Sequence, residues 1–308
     1  MHNRKVLALL LIISLIIFPE LIAQEVDDSI DNPLILEGIK LFRQGKLDEA
    51  QSVLERALAQ NQNDADACNA LAIVLSQKNE LNKALEYFDK AISLKKGNFK
   101  AIYNKLNVLI RLERLEDGIA LLRSVTQEYP DHINGWVNLG AILMQRGETD
   151  EAVECFDKAI ALDPNDFDAR FKKGQVFLLQ KKYEEAHSLF KKALELSPEF
   201  DPARRGMNIA EDIIRKKKEG YIRLRQILVM NRSTAEQART ELENGTDFIE
   251  VCRKYSVDPS AKSGGNLGFL KKGMLVKAID DVVFSLKIGQ ISEIIRTGRG
   301  FHIFKREE

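Results

Sequence analysis

Residues 133–166 read INGWVNLGAILMQRGETDEAVECFDKAIALDPND. Trp136, Leu139, Gly140 and Leu143 recur at helical spacing, Gly147 interrupts, and a second stripe runs from Ala152 through Phe156 and Ala159 to Pro164. The stretch predicts a helix, a tight turn and a second helix closed by a proline. Small residues at Gly140, Ala152 and Ala159 let the two backbones approach closely. Such a pair cannot bury its apolar face alone, so it is expected to stack on copies of itself.

Sliding by 34 residues reproduces the skeleton, giving blocks 31–64, 65–98, 99–132, 133–166 and 167–200. The small position of the first helix falls on Gly38, Ala72, Leu106, Gly140 and Gly174, and the opening of the second on Ala50, Ala84, Gly118, Ala152 and Ala186. A further small position falls on Ala57, Ala91, Val125, Ala159 and Ala193, and Pro130, Pro164 and Pro198 close the last three blocks. This pattern resembles the tetratricopeptide repeat, which implies an all-α solenoid that binds other proteins. The third block departs most, with Leu106 and Val125 at small positions, so its helix pair is expected to splay.

At 308 residues, two or three domains are expected. The formal charge is zero, which offers no electrostatic ground for a nucleic-acid partner. The N-terminus carries Arg4 and Lys5, an apolar run from Val6 to Phe18, then Pro19, Glu20 and a small residue at Ala23. That order reads as a signal peptide over residues 1–23, since a spanning helix needs ~20 apolar residues. Cleavage near Ala23 is preferred over an uncleaved leader, the one case in which the membrane becomes a partner. Export to the periplasm or cell envelope follows. Cys68, Cys155 and Cys252 show no paired spacing and read as small buried hydrophobes.

Carried over by position from the resembled repeats, a concave groove for an extended or helical peptide includes Ile39, Asn69, Ile73, Tyr103, Asn107, Arg111, Val137, Met144, Phe171 and Leu178. Apolar pockets would take side chains of client or envelope proteins, and amides would take their backbone. Residues 201–219 read as a capping helix, which repeat arrays need.

From Tyr221 the period vanishes. YIRLRQILV (221–229) alternates as a strand, and Ser233 to Glu236 forms a capping box opening a helix that ends near Asn244. TDFIEVCRKY (246–255) offers a short helix, a glycine-rich crossing leads into a short strand, and LVKAIDDVVFSL (275–286) reads as a helix. ISEIIRT (291–297) and GFHIFKR (300–306) close the chain as two strands.

The ILV ending of the first strand, the phrase YSVDPSAKSGGNLGFL, Gly273, VFSLKIGQISEIIRT and the closing GFHIFK occur in this order across 221–308. Together they resemble the parvulin family of peptidyl-prolyl isomerases. The resemblance implies a small α/β domain with an antiparallel sheet, no cofactor and no metal. Rotation about a peptide bond has a barrier of ~18–20 kcal/mol, and X–Pro isomerisation takes tens to hundreds of seconds unaided. Its catalysis requires an apolar pocket for the proline ring and a preference for the twisted amide over either planar form.

Mapped by position, the family's strand-one histidine is Gln226, its cysteine-or-aspartate is Asp258 and its final-strand histidine is His302. The proline pocket falls on Leu267, Leu275 and Ile279, the last two replacing the usual methionine and phenylalanine. Alone, His302 reads as a satisfied core histidine and Asp258 as a turn cap; their joint placement points to a site. The expected function is an exported isomerase whose array recruits partners while its tail binds and isomerises proline-containing segments. The alternatives are a weak or inactive parvulin-like adaptor acting only by binding, and a pure scaffold. No nucleophile–base motif and no histidine pair at metal-ligand spacing occurs.

Overall fold

The computed structural model describes residues 31–308, so the leader assigned to residues 1–23 lies outside the described residues. The chain divides into two compact units, Met1–Met207 and Asn208–Glu308.

The first unit is a run of helix pairs: α1 (Pro33–Arg43) with α2 (Leu47–Gln60), α3 (Ala65–Gln77) with α4 (Leu81–Leu94), α5 (Phe99–Arg111) with α6 (Leu115–Glu128), α7 (Ile133–Arg146) with α8 (Thr149–Leu162), and α9 (Phe167–Leu179) with α10 (Tyr183–Leu196). Side chains of Asp64, Asn98 and Asp166 accept from backbone N–H groups at the starts of α3, α5 and α9, filling donors that a helix end leaves open. Each pair turns through one left-handed residue: Gly45, Asn79, Glu113, Gly147 and Lys181, again 34 residues apart. Only glycine adopts that conformation without cost.

Large side chains of the second helices sit on small positions of the first. Leu54, Phe88, Leu122, Phe156 and Phe190 are fully buried. A Cβ added at Gly140 would stand 2.8 Å from the Phe156 ring, and one at Gly174 2.7 Å from Phe190. The third pair inverts the arrangement. Leu106 supplies the bulk, and the small residue is Gly118, where an added Cβ would stand 3.0 Å from Leu106 and 2.7 Å from Ile142.

The consequence is a seam. Val108 and Leu109 of α5 belong to an apolar cluster that starts at Ile35, whereas Ile119 and Leu122 of α6 belong to a second cluster reaching Val176. Elsewhere a polar tie joins the end of a first helix to the preceding second helix: Lys78 to Asp48 (2.6 Å), Arg146 to Glu116 (2.5 Å) and Gln180 to Asp150 (2.8 Å). The equivalent residue in the third block is Leu112, which carries no polar group. There a cavity of about 510 Å³ opens over Leu85, Leu109 and Leu121, rimmed by Asp89, Lys105, Arg114 and Asp117.

Helix α11 (Asp201–Lys218) follows. Its Ala203 joins the cluster around Phe171 and Phe190, and Gly206 lies against the Phe190 ring. The apolar end of the array is thereby covered. Cys68, Cys155 and Cys252 are free and buried, and burial pushes the Cys155 thiol up to about 12. Among the described residues no helix is long and apolar enough to cross a membrane.

The second unit is built on a four-stranded antiparallel sheet in the order β2-β1-β4-β3, from β1 (Ile222–Val229), β2 (Asn266–Leu270), β3 (Ile295–Thr297) and β4 (Gly300–Arg306). Central β1 and β4 pair Gln226 with Phe304 and Leu228 with His302. Strand periodicity places alternate residues on opposite faces. Ile227, Val229 and Ile303 pack on α12 (Arg232–Glu243) and α13 (Phe248–Tyr255), while Leu224 and Phe304 pack on α14 (Lys277–Val283).

Three element boundaries differ from the sequence reading. Asn231, not Ser233, caps α12, its side chain accepting from Thr234 N at 2.8 Å. The expected helix over 275–286 is confined to Lys277–Val283; the Asp280 carboxylate accepts from Gly273 N at 2.8 Å, holding the preceding residues as a loop. The expected strand over 291–297 is regular only from Ile295 to Thr297, because the Ser292 hydroxyl takes the Phe304 N–H at 2.9 Å.

Candidate functional site

The face of the sheet that carries Gln226 and His302 also carries the apolar cluster of Phe304, Leu224, Ile279, Val283 and half-buried Leu267 and Leu275. The six positions mapped from the sequence are thus carried by β1, β4, the turn before β2, β2 itself, and the loop and helix of α14. Leu267, Leu275 and Ile279 form one apolar patch. Gln226 and His302 are buried, at 7% and 3% exposure.

Asp258 opens the 3-10 turn Pro259–Ser263, its carboxylate accepting from Ser260 N at 2.9 Å. The Ser256 hydroxyl accepts from Leu228 N at 3.1 Å, and Val257 N donates to Leu228 O at 2.8 Å, pinning this turn to the end of β1. Beyond it, Gln226 N donates to Gly265 O at 2.8 Å, and the Arg225 guanidinium donates to Gly264 O at 2.9 Å while pairing with Glu307 at 2.7 Å. Gly265 has φ +76°, and a Cβ there would stand 2.2 Å from Gln226 O. The glycine pair is the crossing that lets the turn lie directly on β1.

Burial pushes the Asp258 carboxyl up, but hydrogen bonds from Ser260, the charge of Arg299 and the Gln226 amide outweigh it and hold the carboxyl below its ordinary value. Burial, reinforced by Arg299 and opposed by Asp258, holds the His302 imidazole below its ordinary value. At neutral pH the site therefore presents an ionised carboxylate beside a neutral imidazole. His302 Nε2 lies 2.7 Å from the Thr297 hydroxyl, and its Nδ1 is buried without a partner. Thr297 ends the phrase VFSLKIGQISEIIRT with no site role attached to it, and Arg299 falls outside every phrase of the pattern. The tight β3–β4 reversal, with Thr297 paired to Gly300 and Ile295 to His302, brings them to the site.

A pH dependence follows. A histidine whose folded-state value is depressed favours folding in its neutral form, so its contribution is complete above about pH 6.5 and is lost as pH falls through the depressed value. Hydrogen-exchange protection at β1 and β4 amides is expected to decline from pH 7 to pH 5 after correction for intrinsic rates. His302→Gln is expected to flatten that decline, and an unchanged slope would contradict it.

The groove positions fare unequally. Val137 is buried, and Phe171 is buried against Phe190 and Phe200, with ring centroids 5.8 and 5.0 Å away; neither presents a surface. Arg111 donates to Ser76 Oγ at 2.8 Å and Asn79 Oδ1 at 3.2 Å, tying successive pairs. The Tyr103 hydroxyl lies 2.6 Å from His132 Nε2, and Asn69 Oδ1 accepts from Asn104 at 3.3 Å. Ile39, Ile73, Asn107, Met144 and Leu178 are half-buried. His132 stacks on Phe99, with centroids 3.6 Å apart, at a position where its equivalents Asp64, Asn98 and Asp166 cap helices. Among the described residues no cluster of side chains has the make-up of a metal site.

Residues 229–308 match the PPIC-type peptidyl-prolyl isomerase (rotamase) domain model. Residues 41–104, 103–166 and 137–199 match tetratricopeptide-repeat models. The chain is similar to the foldase protein PrsA of Geobacillus sp. (strain WCH70), 44% identical over 85 residues that are 27% of this chain and 31% of that protein. It is also similar to foldase protein PrsA of Bacillus subtilis (strain 168), 38% identical over 91 residues, 29% of this chain and 31% of that protein. The chain thus spans less than a third of the length of these relatives. Among solved structures, a thermophilic tetratricopeptide protein of Thermus thermophilus is similar over 57% of this chain and 96% of its own, at 23% identity and a TM-score of 0.45.

Proposed function

We propose that this chain, which carries tetratricopeptide repeats followed by a PPIC-type domain, is an exported folding factor that isomerises X–Pro bonds in proteins recruited by its array. The observation that carries the reading is the convergence of Gln226, Asp258 and His302 beside the patch of Leu267, Leu275 and Ile279; all but Gln226, which lies three residues before it, fall inside the segment that matches the isomerase model. In this reading the patch takes the proline ring, backed by Phe304. Ionised Asp258 and neutral His302 lie beside the X–Pro carbonyl and tune the preference for the twisted amide. Gln226 cannot titrate, and it acts by donating to Asp258.

The half-buried residues Ile39, Asn69, Tyr103, Asn107, Met144 and Leu178 supply the recruiting groove, with Arg111 at its edge. Covalent linkage of the tail to an array that has docked a client raises the local concentration the tail sees, which offsets weak intrinsic affinity. Export rests on the leader-like composition of residues 1–23, and the folding role on the similarity to the PrsA foldases. The adaptor reading keeps one specific support. Gln226, Leu275 and Ile279 depart together from the residues usual in the parvulin pattern.

Refolding of a proline-limited client with the full chain separates the two. The isomerase accelerates the slow phase catalytically. An adaptor retards it or leaves its rate unchanged while still binding the unfolded client.

A further inference from the structure

The turn between β3 and β4 carries a charge that the proposed site does not yet employ. Arg299 stands between Gly298 and Gly300 with its side chain 74% exposed, and one of its nitrogens lies 3.8 Å from Asp258 Oδ2. That separation is an ion-pair contact beyond hydrogen-bond reach. Among the described residues, no hydrogen bond from the Arg299 guanidinium is formed; only its backbone N–H is engaged, by Thr297 Oγ1 at 3.1 Å.

The pair is asymmetric. The Asp258 side chain is 10% exposed, and its Oδ1 is taken by Ser260 N. The anion thus faces inward and the cation outward, which leaves the guanidinium open to a ligand that reaches Asp258. A guanidinium offers five N–H donors in a planar fork that matches a carboxylate. Its charge also reaches both Asp258 and His302, lowering each, so it lies close to the place where the X–Pro bond would sit.

We propose that Arg299 makes the site select X–Pro segments that carry an acidic side chain beside the proline. The inference rests on the reading of this face as the X–Pro site. Its ligand class is an acidic, proline-containing peptide, and a lysine beside the proline is disfavoured by repulsion from the same group.

The test uses the full chain and three tetrapeptides, Ala-Glu-Pro-Phe, Ala-Ala-Pro-Phe and Ala-Lys-Pro-Phe, at low salt. Binding is read from chemical-shift titration and turnover from exchange spectroscopy. Wild type is expected to prefer the Glu peptide over the Lys peptide by about fivefold, in line with an exposed charge contact. Arg299→Ala brings the ratio close to one, Arg299→Glu inverts it, and 0.5 M salt compresses it through screening. An unchanged Glu/Lys ratio in Arg299→Ala or Arg299→Glu overturns the proposal. If no peptide is isomerised but the binding ratio still follows the charge at residue 299, the selectivity stands and the isomerase reading fails. If peptides are isomerised with a ratio insensitive to residue 299, the reverse holds.

Discussion

Phe156→Ala is expected to cost the array about 3–5 kcal/mol, the range for deleting a fully buried aromatic ring. Phe156 is completely buried against Gly140, whose missing Cβ would stand 2.8 Å from the ring. Nothing nearby fills the void, because the partner position is already glycine. The loss is measured as a fall in the denaturant midpoint of the array transition. The Leu122→Ala variant supplies the comparison. Its neighbour Leu106 is bulky and borders the seam at the third pair, so partial collapse into the space is available and the cost is smaller. Equal costs would contradict the inverted packing described for that pair.

Gly265→Ala is the second large effect, expected to cost about 3 kcal/mol or more by combining a left-handed conformation with a clash. The added Cβ would stand 2.2 Å from Gln226 O, a backbone atom of the central strand. Either β1 or the 258–265 turn must shift, and Asp258 moves with it. Gly245 is the internal control. It is also left-handed, at φ +88°, but has nothing within 4 Å of an added Cβ, so Gly245→Ala carries only the conformational part, about 1 kcal/mol. Comparable losses at the two glycines would show that the close approach to β1 is unimportant.

Both effects trace to features of differing legibility. The repeat pairs were readable because a 34-residue period repeats small and large positions that only one packing satisfies. Even the irregular third pair was visible as Leu106 and Val125 at small positions. The sequence did not reveal how the structure accommodates them, since the Leu106–Gly118 exchange and the cavity over Leu85 depend on three helices meeting. In the tail, β1 was legible from alternation and the turn at Asp258 from its Asp-Pro start, whereas the 3-10 form of that turn and the loop preceding α14 were not. Those are set by individual hydrogen bonds, from Ser260 N to Asp258 and from Gly273 N to Asp280, which leave no periodic trace.

The site divides in the same way. Gln226, Asp258, His302 and the three apolar positions came from matching an ordered pattern. Thr297 and Arg299 escaped, because a threonine and an arginine around Gly298 look like any exposed reversal until the strand register is known. Val137 and Phe171 illustrate the opposite error. Position within a repeat suggested a groove surface, but neighbouring pairs bury both residues, Phe171 against Phe190 and Phe200.

X–Pro exchange in a short peptide, followed by NMR with the full chain added, tests the central claim most directly. The account predicts exchange cross-peaks that grow with protein concentration and weaken strongly in Asp258→Ala, with Gln226→His and Ile279→Phe preserving or raising the rate. Peptide shifts that report binding, with no exchange in the wild type, would contradict the isomerase and leave the adaptor reading in its place.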